Sequence, residues 1–259
     1  MKKILIAAVS LLLLIWALWM VIPVALIEYI IADSMSGRKI TVETAGLRKG
    51  IFYSLSAENI LVKSGNSEIL TFEDVKSRIN PFRLVLLQVK IAVNGNIGGG
   101  DISGDMHFAG KSVRIRLEAN NASINRIPFF EKAGIKGAGV LSARLTLTND
   151  DGRIDLTANG VKFEPAVFSG IRVPMNLFSN VAGALSIKEN IIKVISVSFE
   201  GKDIFARLKG NIRNSLMDLT MEVMPGKSYL ETPFLLAGIE RFRVSPGYYV
   251  VPVRGSLSF

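Results

Sequence analysis

The chain has 259 residues, with 31 Lys plus Arg against 22 Asp plus Glu, a net charge of +9, one His, no Cys and 49% apolar side chains. The absence of cysteine excludes disulfide scaffolds, zinc ribbons, iron–sulfur sites and thiol nucleophiles, and the single histidine, His107, excludes His-rich metal sites and two-His catalysis. No catalytic residue, metal or cofactor is expected, and the length allows one ordinary domain beyond any anchor.

Residues 4–27, ILIAAVSLLLLIWALWMVIPVALI, carry no charge. A bilayer core about 30 Å thick needs roughly 20 apolar residues at 1.5 Å rise each. The run therefore predicts a single transmembrane helix, with residues 1–31 as the anchor and 32–39 as a juxtamembrane linker. Pro23 is expected to kink this helix without breaking it. Lys2 and Lys3 precede the run, which favours a cytoplasmic N-terminus and an exported remainder, while Glu28 and Tyr29 mark the far interface. A cleaved signal peptide would have an apolar core of about 7–15 residues and a small-residue cleavage site. This run is too long and too bulky for that.

From residue 40 the apolar period becomes two. Val113, Ile115, Leu117 and Ala119 alternate with Arg114, Arg116 and Glu118, and in residues 141–147 the odd positions are again apolar. Ile195, Val197 and Phe199 make one face against Ser196 and Ser198. Tyr249, Val251, Val253, Gly255, Leu257 and Phe259 make another against Arg254, Ser256 and Ser258. Such alternation means half-buried strands, and the links hold turn chemistry: Asn94-Gly95, Gly98-Gly99-Gly100, Asn149 to Gly152 and Pro225-Gly226. Two stretches suggest short helices, residues 125–133 with Pro128 early in the run, and residues 173–181.

An internal repeat runs through the strands. Residues 102–124 slide onto 141–163 without a gap, matching Ser103/Ser142, Arg114/Arg153, Ile115/Ile154, Leu117/Leu156, Ala119/Ala158 and Asn120/Asn159. The shared Leu-x-Ala-Asn ending distinguishes this from chance alternation and predicts a duplicated hairpin unit.

A one-faced sheet must bury its apolar side, and two short helices cannot cover it. A sheet curved into a trough, with Met106, Phe108, Ile115, Leu117, Leu145, Leu147, Ile154 and Leu156 inward, offers an apolar groove. The same residues packed on one another make a sandwich core, which composition alone favours.

Leu47-Arg-Lys-Gly-Ile-Phe, Ala57-Glu-Asn-Ile-Leu-Val and the stretch Val93 to Gly104, VNGNIGGGDISG, resemble AsmA-type repeat proteins. Gly137 to Leu145, Gly201 to Ile212, Asn214 to Leu219 and the closing Gly247 to Leu257 continue the resemblance in order. Within that superfamily the chain is similar to the protein N family of type II secretion systems (GspN) in a short, single-anchor form. The resemblance covers nearly all of the chain and lies in the order of loose glycine-bounded strands. It implies a bitopic inner-membrane protein with an elongated periplasmic β domain, attached to machinery that reaches the outer-membrane secretin. It carries over no catalytic residues, and AsmA-type relatives are linked to lipid movement or envelope maintenance.

Other signals are weaker. Asp105 and His107 share a strand face opposite Met106 and Phe108 and, with Asp101, read as solvated side chains, not metal ligands. Gly98-Gly99-Gly100 lacks the Lys-Ser/Thr that follows in a phosphate loop and reads as a turn. The basic residues are spread over many strands behind an anchor, which argues against nucleic acid. Arg38, Lys39, Arg48 and Lys49 follow the anchor and are candidate contacts for anionic headgroups, at about 1 kcal/mol per charge. Solvated charges that discourage edge pairing explain them equally well. Phe259 resembles the aromatic end of outer-membrane barrel strands, but an uncleaved inner-membrane helix is incompatible with that route.

The expectation is a mainly β protein: a single-pass inner-membrane anchor, N-terminus cytoplasmic, and a periplasmic, mostly antiparallel sheet over 40–259, as trough or sandwich, with one or two short helices. It is expected to be a non-enzymatic type II secretion component that binds the secretin or the inner-membrane platform. The alternative is an AsmA-like protein that binds or transfers phospholipid.

Overall fold

The computed structural model describes residues 2–35, 40–65, 67–86, 88–110, 112–168, 170–189, 191–213, 215–230 and 236–256. Arg38, Lys39 and Phe259 lie outside the described residues. The N-terminal apolar run forms two helices, α1 (Lys2–Val21) and α2 (Val24–Met35). This corrects the expectation of one helix kinked at Pro23. Proline has no N–H and its ring clashes with the carbonyl four residues back, and here the helical path stops at Ile22–Pro23. Among the described residues, no helix is long and apolar enough to cross a membrane.

Beyond them the chain is strand after strand. The first group is β1 (Ile40–Ala45), β2 (Arg48–Lys49), β3 (Ser54–Ser64), β4 (Ser67–Ile79), β5 (Gln88–Ile97), β6 (Gly100–Ala109) and β7 (Ser112–Ser123). The second is β8 (Gly137–Thr148), β9 (Asp151–Phe163), β10 (Ala166–Phe168), β11 (Ile171–Val173) and β12 (Phe178–Lys188). The last is β13 (Ile191–Gly201), β14 (Ile204–Arg213), β15 (Leu216–Pro225), β16 (Arg243–Ser245) and β17 (Tyr248–Ser256). Three one-turn helices interrupt them: α3 (Pro81–Val85), α4 (Pro128–Lys132) and α5 (Lys227–Leu230). The helix expected at 125–133 is present as a 3-10 turn, Ile124–Arg126, followed by α4 with Pro128 in its first turn. The one expected at 173–181 is a single 3-10 turn, Met175–Leu177, after which β12 begins.

All the long strands join one antiparallel sheet of fifteen, in the order β1-β3-β4-β5-β6-β7-β8-β9-β12-β13-β14-β15-β17-β16, with β2 beside β3. At about 4.8 Å per strand this sheet runs roughly 60 Å. β1 and β16 are its two ends, so it is not a closed barrel. The sandwich expectation also gives way: among the described residues, the other sheet is the two-stranded β10–β11 ribbon.

Tight turns set this order. Gly98 and Gly99, at φ 56° and 78°, turn Ile97 back onto Gly100. Positive φ at both central positions is what a two-residue hairpin needs to match strand twist, and glycine adopts it without steric cost. The expectation of a turn there holds.

The two repeat windows fold as hairpins of one register. Ile102 faces Ala119 in the first and Leu141 faces Ala158 in the second, each partner displaced by the same offset. Each hairpin then carries a bulge just past its Leu-x-Ala-Asn ending, with Asn121 at φ 58° in β7 and Gly160 at φ 61° in β9. A bulge adds one residue to one strand and reverses which face the next side chains take. Asn and Gly are the residues that enter the left-handed region most readily. A third bulge, in β13, changes a sequence expectation. Val194, not Ile195, faces inward with Val197 and Phe199, and Ile195 is exposed.

Candidate functional site

Cross-strand neighbours stack the apolar side chains into rows that run across the strands. One row reads Ile91, Met106, Ile115, Leu147, Gly152, Ile187, Ile192, Ile212 and Met217. The next reads Val93, Gly104, Leu117, Leu145, Ile154, Leu185, Val194, Gly210, Leu219 and Val253. No charged side chain interrupts either row. All eight residues expected to line a groove are on this face: six in these rows, Phe108 beside Val113, and Leu156 beside Ala143.

Burial along the face is uneven. At one end of the strands, Ala158, Val181, Phe199, Ala206, Val223 and Tyr249 are buried under three segments that cross the sheet. These are residues 124–136, 170–177 with the strand at 166–168, and 236–242, whose Ile124, Val173, Met175, Leu236 and Ile239 close the core. A smaller cluster of Ile97, Ile102, Ala122 and Ile127 continues it toward the N-terminal strands. At the opposite strand ends the cover stops. Leu156 packs against the larger core and Leu117 against the smaller one. Met106, Phe108, Ile115, Leu145, Leu147 and Ile154 belong to neither and are half-buried, a stripe without a lid among the described residues.

The stripe begins beside the place where α1 meets the sheet. Trp19 Nε1–H donates to the Gly50 carbonyl at 2.9 Å, and Trp16 Nε1–H to the Ile51 carbonyl at 3.2 Å. The Trp19 ring packs on Tyr53 at 5.6 Å. Lys49 Nζ donates to the carbonyls of Trp19 at 2.9 Å, Met20 at 3.1 Å and also Ile22. These are the carbonyls that a helix ending before proline leaves without intrahelical partners, and a cation there also complements the helix dipole. An ammonium has three donors, so those of Lys49 are saturated and its place is that of a helix cap. Arg48 pairs with Glu58 at 2.6 Å on the exposed surface. Of the four candidate headgroup contacts, the two within the described residues thus have protein partners. Burial raises the Tyr53 hydroxyl above the ordinary tyrosine value.

The opposite face of the sheet is polar and paired across strands. Arg144 meets Glu118 at 2.7 Å, Lys209 meets Glu222 at 3.0 Å and Arg254 meets Asp218 at 3.1 Å. Arg153 holds Asp155 at 2.8 Å within one strand, and its hydrogen bond keeps that carboxyl below the ordinary range. Pairs this exposed are screened by solvent and add little to stability. Asp105 stands opposite Arg116, and His107 stands between Lys90 and Arg114. No His, Asp and Glu cluster of metal-binding form occurs among the described residues.

Alternation located the stripe, whereas the helix cap had no local signal. Lys49 lies about thirty residues from the carbonyls it binds, so only the tertiary approach of α1 to β2 reveals it. No family model matches the chain, and neither a curated protein nor a solved structure matches it.

Proposed function

We propose that this protein binds the aliphatic chains of lipids along the open stripe, held at the inner membrane by its N-terminal helices with the sheet on the periplasmic side. The observation that carries the reading is the pair of unbroken apolar rows whose Met106, Ile115, Leu145, Leu147 and Ile154 lack a protein cover among the described residues. A narrow row crossing many strands suits an extended chain better than a compact ligand. Membrane attachment is supported by the uncharged run 4–27 and by Leu13, Leu14, Leu18 and Val21 of α1, all exposed. The role is binding, not catalysis. To test it, the full chain is purified and its bound lipid extracted and counted. Stoichiometric phospholipid is expected, falling at least about tenfold in Leu147→Asp, because charge on an apolar site is costly. Absence of lipid from the wild-type chain would refute the reading.

A second reading is an accessory component of a type II secretion system that binds the secretin or the inner-membrane platform. It rests on the order of the sequence motifs and on the two edge strands, β1 and β16, which pair on one side only among the described residues, so that a partner strand can add by backbone hydrogen bonds. Co-purification of either partner, lost when β1 is blocked by Val42→Pro, would support it.

A further inference from the structure

The corner where α1 meets the sheet holds a cavity of about 500 Å³ lined by Phe52, Tyr53, Arg78, Ile79, Pro81 and Lys90, among others. Arg78 and Lys90 come from the adjacent strands β4 and β5, both on the polar face, and neither takes part in an ion pair among the described residues. In register around them stand Lys76, His107, Arg114 and Arg116, with Asp105 as their acidic neighbour. The corner is therefore strongly cationic, unlike the neighbouring Glu118–Arg144 and Arg153–Asp155 positions, where charges are matched.

Its rim has the opposite character. Ile51, Phe52, Phe82 and Leu86 are exposed, the two phenylalanines by 67% and 68%. Phe82 is held outward by the turn that starts α3, where its N–H donates to Asn80 Oδ1 at 3.1 Å and Asn80 N–H donates to the Lys90 carbonyl at 2.8 Å. Exposed aromatic side chains beside unpaired cations match the boundary between headgroups and acyl chains. The uncharged run of helix α1, which starts at Ile4, reaches the same place, its Trp19 packed on the cavity-lining Tyr53.

We infer that this corner is a headgroup site for an anionic phospholipid, with Arg78 and Lys90 binding the phosphate and Phe52 and Phe82 set among the upper acyl carbons. The site lies at the strand end where the apolar stripe begins on the other face, since Ile79 lines the cavity and pairs with Ile91. The inference rests on the membrane-side part of the proposed function, and the experiment separates the two.

Trp16 and Trp19 are the chain's two tryptophans, so tryptophan fluorescence of the full chain in nonionic detergent reports on this corner. The protein is titrated with dihexanoyl phosphatidylglycerol, dihexanoyl phosphatidylcholine or inorganic phosphate. Phosphatidylglycerol should bind at least about tenfold tighter than phosphatidylcholine, and Arg78→Gln with Lys90→Gln should weaken it about thirtyfold, at about fivefold per cationic contact. Phosphatidylcholine, whose phosphate is offset by its own choline, should lose less affinity in that variant, and an unchanged urea-unfolding midpoint shows that the variant folds. Lys188→Gln with Arg213→Gln, removing the same charge elsewhere, should have no effect. Equal binding of the two lipids, untouched by the double variant, would overturn the headgroup site and leave the stripe reading standing. An equal loss in the Lys188/Arg213 control would reduce the effect to net charge and overturn the site as well. Inorganic phosphate binding as tightly as phosphatidylglycerol would make it a free-anion site and overturn the lipid assignment. No response to any lipid would overturn the headgroup site, whereas lipid extraction from the full chain decides the stripe reading on its own.

Discussion

The two ends of the strands in this sheet have the same alternating sequence and opposite fates. At one end Val173, Ala206, Ile239 and Val251 are wholly buried, because segments between the strands fold back across the face. At the other end Ile115, Leu145, Leu147 and Ile154 are equally apolar and equally aligned, yet only half-buried. Alternation therefore decides which face is apolar, and the insertions between strands decide which part of that face becomes core. The open end is the one next to α1, which ties the uncovered stripe to the proposed membrane attachment.

The largest expected effect tests that contrast with a matched pair. Phe178→Ala, in the covered core, should cost about 3–5 kcal/mol by urea unfolding, as deep aromatic truncations do. Leu145→Ala should cost about 1 kcal/mol or less, because that side chain is already partly exposed and no core closes over it. Equal losses would mean that the stripe is packed after all.

A smaller effect sharpens the link to the helix. Lys49→Met removes the cation from three carbonyls at the end of α1, an arrangement worth about 1–2 kcal/mol when partly buried. Amide exchange in residues 16–22 should accelerate while exchange in β12–β15 stays unchanged. A uniform change across the sheet would show Lys49 to be part of the fold at large.

The smallest effect concerns the turn that holds the start of α5, beside the covered end of the sheet. Asp203, in the turn between β13 and β14, accepts from the Ser228 hydroxyl and from the Ser228 N–H at 2.9 Å, fixing the start of α5. The hydroxyl bond first, then the amide bond, holds the Asp203 carboxyl below the ordinary range. The folded form thus takes up its proton at lower pH than the unfolded chain. The contribution is complete above about pH 4 and disappears as the pH falls through the folded value. The Ser228 amide resonance should move with that titration and lose its pH dependence in Asp203→Asn.

Much of this was legible in the residues. The rows follow from alternation at 113–119 and 141–147, and the repeat predicted two hairpins whose registers agree. The Leu-x-Ala-Asn ending marks the site where each hairpin bulges, so that fragment of the repeat carries backbone geometry as well as hydrophobicity. The inward phase of β13 was not legible. A bulge near Ile195 shifts the alternation, and the six residues around it do not show where the extra residue sits. The choice between sandwich and open sheet was hidden as well, because it depends on how far residues 124–136, 166–168, 170–177 and 236–242 reach across the face. The break at Pro23 was half-legible: proline weakens the helix there, but the group that donates to the freed carbonyls comes from β2.

The most direct measurement of the open stripe uses the absence of cysteine from the chain. Leu147→Cys and Val251→Cys each provide one thiol, at the open and covered ends of the same face. With lipid removed, Leu147→Cys should react rapidly with a small maleimide and become protected when phospholipid is added back, while Val251→Cys stays unreactive throughout. A Leu147→Cys thiol as unreactive as Val251→Cys in the lipid-free protein would contradict the account.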